Sequence, residues 1–337
     1  MIPLAIGGVL AGLVLGYVLQ RGQLCFHSAF RGLLERRTAT FKAWLLGAAV
    51  AALGLALLDT LGPWAMSTAL PLRPLGNIVG GLVFGIGMAV AASCVSGLFY
   101  KLGAGMVGAL VGLAGWAAGE LAADQVDLGG GRLLAGRETL PTLLGLPRLG
   151  VAAVVLAVVV IAFALLRRNR PVLGRRDRPA RGWQWSWPVA GVSLGLAATW
   201  TWVTAGAGGA DFGASTVGAA TGVASGSPNW WQVAFLLALI PGATIAARTA
   251  GGWWLRGETR PRYAQLAAGG VLLGAGARWA GGCNLGHALS GVGQLNLSSL
   301  LVVASMIAGV AVARFVQLRL GARGPRQDPA YRNLIGN

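Results

Sequence analysis

The chain has 337 residues, 55% of them hydrophobic and 11% charged, with 27 Lys and Arg against 10 Asp and Glu. Soluble domains carry about 25% charged residues, so this composition excludes a soluble globular fold. The formal net charge of +17 does not indicate nucleic-acid binding, because the basic residues fall in short loops between apolar segments, the pattern of membrane orientation.

Apolar runs long enough to cross a bilayer recur along the whole chain. The first, near residues 3–20, is therefore expected to be a retained span and not a cleaved signal peptide. Residues 23–36 are too short to span and read as re-entrant or interfacial. Spans follow near 40–60 and 76–101, the latter interrupted at Ala92–Gly97, and then near 104–123. A connecting span is expected near 149–166, followed by an arginine-rich linker from Arg167 to Arg181. Beyond it come 187–204, a second short polar stretch at 206–222, 229–247, 262–282 and 297–318. Small residues at Ala280, Gly281 and Gly282 interrupt the chain before Cys283. Tryptophans such as Trp183, Trp185, Trp187, Trp230 and Trp231 read as interfacial anchors.

The predicted fold is thus an all-α polytopic membrane protein of about nine transmembrane helices with short re-entrant helices. Placing the linker in the cytoplasm puts 22 of the 27 basic residues on that side, including Arg31, Arg36, Arg37, Lys42, Arg256, Arg260 and Arg262. Arg73, Arg132, Arg137 and Arg148 fall outside, and Arg278 lies within a span. The N-terminus is then external and the C-terminus cytoplasmic. A shift of 189 residues aligns Gly80, Gly81, Gly85, Gly87, Ala91, Cys94 and Gly97 with Gly269, Gly270, Gly274, Gly276, Ala280, Cys283 and Gly286. A shift of 183 aligns Gly8, Val9, Gly12 and Leu13 with Gly191, Val192, Gly195 and Leu196. Two four-helix repeats joined by one connecting helix run in opposite senses, so inverted repeats are expected. The units are a first repeat over 1–148, the connecting helix and basic linker over 149–186, a second repeat over 187–320 and a cytoplasmic tail over 321–337.

Interrupted helices at membrane depth are tolerated only where they face protein or a wet cavity. The stretches Arg21–Leu33 (RGQLCFHSAFRGL), Ala91–Gly103 (AASCVSGLFYKLG) and Gly276–Gly291 (GARWAGGCNLGHALSG) resemble the cysteine motifs of the YeeE/YedE sulfur-transport family, in order and spacing over nearly the whole chain. The resemblance implies uptake of thiosulfate or a related sulfur compound through the bacterial inner membrane. It implies a path lined by Cys25, Cys94 and Cys283, and a small cytosolic sulfur-carrier protein as partner.

Thiosulfate is a dianion with a soft sulfur, and both burial and the approaching dianion disfavour a thiolate. The cysteines are therefore expected to act as neutral S–H donors. Helix N-termini after Cys94 and Cys283 would direct unpaired N–H groups at the anion. Ser93, Ser96, Gly97, Gly282, Asn284 and Gly286 belong to these breaks. Arg278 is the candidate countercharge, with an ion pair as its bland alternative. His27 and His287 are candidate proton carriers, although histidines near interfaces are commonly structural. Cys94 and Cys283 are expected to face each other across a constriction. No cofactor, metal or nucleic acid is expected, and no catalytic residue. A transporter of selenium or other sulfur compounds is the alternative within the family, and a membrane thiol oxidoreductase or sulfurtransferase the alternative outside it. Against the latter, no C-x-x-C pair is present. Only Lys42 and Lys101 exist and neither sits in a P-loop, which excludes a nucleotide-driven pump built on this chain.

Overall fold

The computed structural model describes residues 2–62, 69–128, 130–168, 184–208 and 210–319. Most of the basic linker, Trp183 and the tail over 321–337 lie outside them. Among the described residues there is no β-strand, and most of them are helical. In order it forms α1 (Ile2–Gly22), α2 (Phe26–Leu34), α3 (Ala39–Leu61), α4 (Pro74–Ala91), α5 (Val95–Gly103), α6 (Gly108–Asp124) and α7 (Leu140–Leu144). It continues with α8 (Arg148–Arg168), α9 (Trp187–Ala207), α10 (Ala219–Ala224), α11 (Trp230–Thr249), α12 (Arg260–Ala280), a π-helical segment (Asn284–Gly291) and α13 (Leu297–Arg319).

Six stretches are long and apolar enough to cross a membrane: Leu4–Leu34, Ala39–Leu61, Pro74–Gly103, Arg148–Leu165, Trp230–Thr249 and Leu297–Arg319. This is a multi-pass membrane protein. The remaining long helices fall outside this set for identifiable reasons. Helix α6 has 17 residues, α9 is diluted by glycine, threonine and tryptophan, and α12 opens with Arg260 and Arg262 and closes near Arg278.

Lipid tails are as apolar as leucine, so helices associate in a membrane through close backbone packing of small residues. On α1, Gly8, Gly12 and Gly16 lie on one face, and a Cβ on any of them would fall 2.2 to 2.3 Å from the carbonyls of Trp231, Phe235 and Leu239 of α11. On α9, Gly191 and Gly195 meet the Ala43 and Gly47 carbonyls of α3 in the same way. Helices α4 and α12 cross where Gly80 and Gly276 abut each other's backbones. The next glycines round each helix turn to different neighbours: Gly81 and Gly85 meet α13, and Gly270 and Gly274 meet α6.

Loop contacts fall into two groups. One joins Leu72 to Leu133 and Thr139 to Asn296, Arg148 to Asp59 at 3.6 Å, and Arg278 Nε to Asp124 at 2.6 Å. The other joins Met106 to Arg256, Arg314 to Glu35, and the Arg21 and Lys42 cations to the Trp185 and Trp187 rings. No contact of either group joins a loop expected outside to one expected inside.

Candidate functional site

Each cysteine sits at the N-cap of a short helix inside the protein: Cys25 before α2, Cys94 before α5 and Cys283 before the π-helical segment. The breaks arise from local backbone. Helix α4 stops at Ala92, which takes a left-handed conformation (φ 45°), uncommon for a residue with a Cβ. Helix α12 stops at Gly281, also left-handed (φ 78°), where glycine makes the turn without strain. An extended cysteine then starts the next helix. All three thiols are free and buried.

The Cys25 and Cys94 sulfurs are 3.7 Å apart, in non-bonded contact, since a disulfide requires about 2.05 Å. The Cys94 sulfur also lies 3.4 Å from Ser96 Oγ and accepts the Gly97 N–H at 3.3 Å. Gly97 leaves both sulfurs uncovered: a Cβ there would lie 3.2 Å from each and 2.6 Å from Ser93 Oγ. Asn284 Nδ2 donates to Ser96 Oγ at 2.8 Å, so the second break is tied directly to the first. The Cys283 sulfur accepts the Leu285 N–H at 3.3 Å.

Three helix N-termini therefore lie around these sulfurs, each with a partial positive charge, and the Gly97 and Leu285 N–H groups donate to the Cys94 and Cys283 sulfurs. One buried polar atom beside them, Asn284 Oδ1, has no hydrogen-bond partner. Thr216 lies against Cys283, on the segment between α9 and α10. Unsatisfied polar atoms are uncommon in protein interiors.

The sulfur in contact with Cys94 is that of Cys25, because α2 and α5 bring their N-termini together, and the break at Cys283 is joined to the break at Cys94 by the hydrogen bond from Asn284 to Ser96. Ser93 donates to the Cys94 carbonyl at 3.2 Å. Gly282 makes room for the His287 ring, whose Cδ2 would lie 2.6 Å from a Cβ, and Gly286 faces Ser215. His287 Nε2 is 3.0 Å from the Ala280 carbonyl, so it carries the hydrogen, and Nδ1 accepts from Ser299 at 2.9 Å. That histidine clamps the π-helical segment to α12 and α13. His27 is buried next to Cys25 in the first turn of α2.

Arg278 is not among the thiols. It is 40% exposed and paired with Asp124, in a cavity of about 300 Å³ lined also by Arg73, Asp127 and Trp279. The cations at the first break are two others. Lys101 Nζ donates to the Ala92 carbonyl at 3.1 Å and to Ser93 Oγ at 3.0 Å, and Arg262 donates to the Ala91 carbonyl. Sequence reading missed both. Lys101 had a legible signal: it stands seven residues after Cys94, two helical turns on, and shares that cysteine's face. Arg262 had none, because only tertiary packing carries it to α4. At the second break the corresponding Ala280 carbonyl is held by neutral groups, Asn77 Nδ2 at 2.9 Å and His287.

A family model described as sulphur transport matches residues 21–312. Two relatives match along nearly their full lengths. The thiosulfate transporter TsuA of Spirochaeta thermophila is 33% identical over 326 residues, which span 90% of this chain and 96% of that protein. The thiosulfate transporter TsuA of Escherichia coli is 25% identical over 346 residues, spanning 94% and 95% respectively.

Proposed function

Because this chain belongs to the sulphur transport family, we propose that it carries thiosulfate or a closely related sulfur anion across the bacterial inner membrane. The path runs past Cys25, Cys94 and Cys283, which act as neutral thiol donors and not as nucleophiles. The single observation that carries this reading is the convergence of three cysteine-capped helix N-termini, with the Cys25 and Cys94 sulfurs 3.7 Å apart and Asn284 bridging to Ser96. Such a site offers an anion several weak donors and a positive potential but no fixed partner that would trap it. Lys101 and Arg262 add positive charge behind the first break.

Inverted repeats and nine spans are part of the same proposal. Exchange each helix for its counterpart, α1 for α9, α3 for α11, α4 for α12 and α6 for α13, and the main packing pairs map onto one another. Helix α1 on α11 becomes α9 on α3, and α6 on α12 becomes α13 on α4. The aligned glycines make the equivalent contacts. The separation of loop contacts into two groups supports the crossing pattern, and the excess of basic residues on one side argues for an external N-terminus and a cytoplasmic C-terminus. A sulfur-carrier protein at the basic inner face belongs to the proposal as well, as the consumer of delivered anion.

The test is growth on thiosulfate as sole sulfur source, in cells lacking other uptake routes, with each cysteine replaced by serine and by alanine. Serine keeps a hydroxyl donor and alanine does not. Hydrogen-bonding thiols give uptake in the order Cys, Ser, Ala at positions 94 and 283. Equal loss in both variants, with a sulfur adduct detected by intact mass, would establish covalent chemistry instead.

A further inference from the structure

Helix α6 carries a fully buried carboxyl group, Glu120. One oxygen, Oε1, accepts the Gly218 N–H at 2.7 Å and lies 3.4 Å from the Thr221 hydroxyl. The other, Oε2, is buried with no partner. An ionised carboxylate in an apolar interior is costly unless it is paired, and an acid within a membrane helix is by default a functional group. Among the described residues no cation pairs with this one. From α12, Arg278 acts on it at a distance, but its guanidinium is bound to Asp124, one turn further along α6. From α5, Lys101 is engaged at the first break. The segment from Ser215 to Ala224 carries no titratable side chain, and Asp211 precedes it.

The same short segment joins Glu120 to the thiol path. Gly218 rests on Glu120, and two residues earlier Thr216 lies against Cys283. Ser290 of the π-helical segment holds the Ala214 carbonyl at 2.8 Å, and Gln232 holds the Ser215 and Val217 carbonyls. An anion at Cys283 is therefore one backbone segment away from an acid whose second oxygen is free to carry a hydrogen.

We infer that Glu120 takes up and releases one proton in each passage of the anion, so that the protein moves protons together with its sulfur anion. The inference rests on the transport reading above. Two negative groups brought close favour the state in which one carries a proton. The carboxylate accepts a proton from the outer side as the anion reaches Cys283, and gives it up to the inner side as the anion leaves inward. Only an O–H bond is made and broken, and no electron is transferred. Each proton cancels one of the two charges of thiosulfate, which eases inward movement against an inside-negative potential.

The experiment uses the full chain in proteoliposomes with a trapped pH dye and labelled thiosulfate. In the unaltered protein, added thiosulfate acidifies the lumen. An external pH one unit below the lumen raises accumulation by up to about tenfold per coupled proton. Glu120→Gln, which keeps the acceptor for Gly218, loses both effects yet still exchanges labelled thiosulfate at equal concentrations on both sides. Glu120→Asp retains the pH response if the glutamine variant cannot be reconstituted. Thiosulfate movement without proton movement in the unaltered protein overturns this inference alone, as does a glutamine variant that keeps the response. Absence of any thiosulfate movement overturns the transport reading and this inference with it.

Discussion

At the scale of single residues, the ammonium of Lys101 closes the first break by holding the Ala92 carbonyl and the Ser93 hydroxyl. Both ends of that contact matter. The last carbonyls of a helix lack intrahelical partners and carry partial negative charge, and Ala92 is left-handed. Removing a charge-assisted donor from such a group costs about 1.5 to 3 kcal/mol. We expect Lys101→Met to lower thiosulfate uptake by about tenfold or more, with Lys101→Arg retaining a larger share. Initial rates in proteoliposomes, normalised to protein amount, check this. Equal activity in the methionine variant would show that the break holds without the cation and that the anion does not sense its charge.

At the scale of helices, small residues determine which faces meet. A Cβ at Gly12 would lie 2.2 Å from the Phe235 carbonyl, while the space around Gly150 is open. Gly12→Val forces α1 away from α11 and should destabilise the protein by about 3 kcal/mol or more, seen as a lower midpoint of thermal unfolding or loss of monodisperse protein. Gly150→Ala, in the middle of no contact, should be neutral or stabilising by up to about 1 kcal/mol. Helix α2 is tied to α13 by Glu35, which is flanked by Arg31 and Arg314. Burial raises the proton affinity of this carboxyl, but its hydrogen bonds and the charges of the two arginines outweigh that, and its pKa is lowered. A lowered carboxyl pKa contributes stability above the unfolded value, about 4.3, and loses it as pH falls through the folded value. Because the groups are partly exposed, the contribution is under about 1 kcal/mol. Glu35→Gln should therefore unfold earlier than the unaltered protein at pH 7, with the difference vanishing in acid.

At the scale of the whole molecule, crossing parity orders everything else. The loop carrying Leu146 and the loop carrying Arg36 lie on opposite sides in the proposed topology, outer and inner respectively. Both positions are exposed, and the three native thiols are buried. In intact spheroplasts a membrane-impermeant maleimide should label Leu146→Cys and leave Arg36→Cys unlabelled until the membrane is opened. The reverse pattern would invert the orientation but leave the helix packing untouched. In the proposed uptake, carrying a dianion inward works against about 2.3 kcal/mol per charge for each 100 mV of inside-negative potential.

Local composition and period were legible in the sequence. Apolar length located the long helices, and charge asymmetry supplied the proposed orientation. Small residues beside Cys94 and Cys283 located the breaks, since a helix ends where its own backbone turns. The N-capping position of each cysteine is equally local, being the first extended residue after such a turn. Tertiary structure alone decided which groups meet. It paired Cys25 with Cys94 at 3.7 Å, joined Asn284 to Ser96, brought Arg262 to the end of α4, gave Arg278 to Asp124, and set Glu120 under the segment that covers Cys283. These are contacts between residues dozens to nearly two hundred positions apart. They follow from how glycine faces let helix backbones approach, and no local pattern encodes that distance.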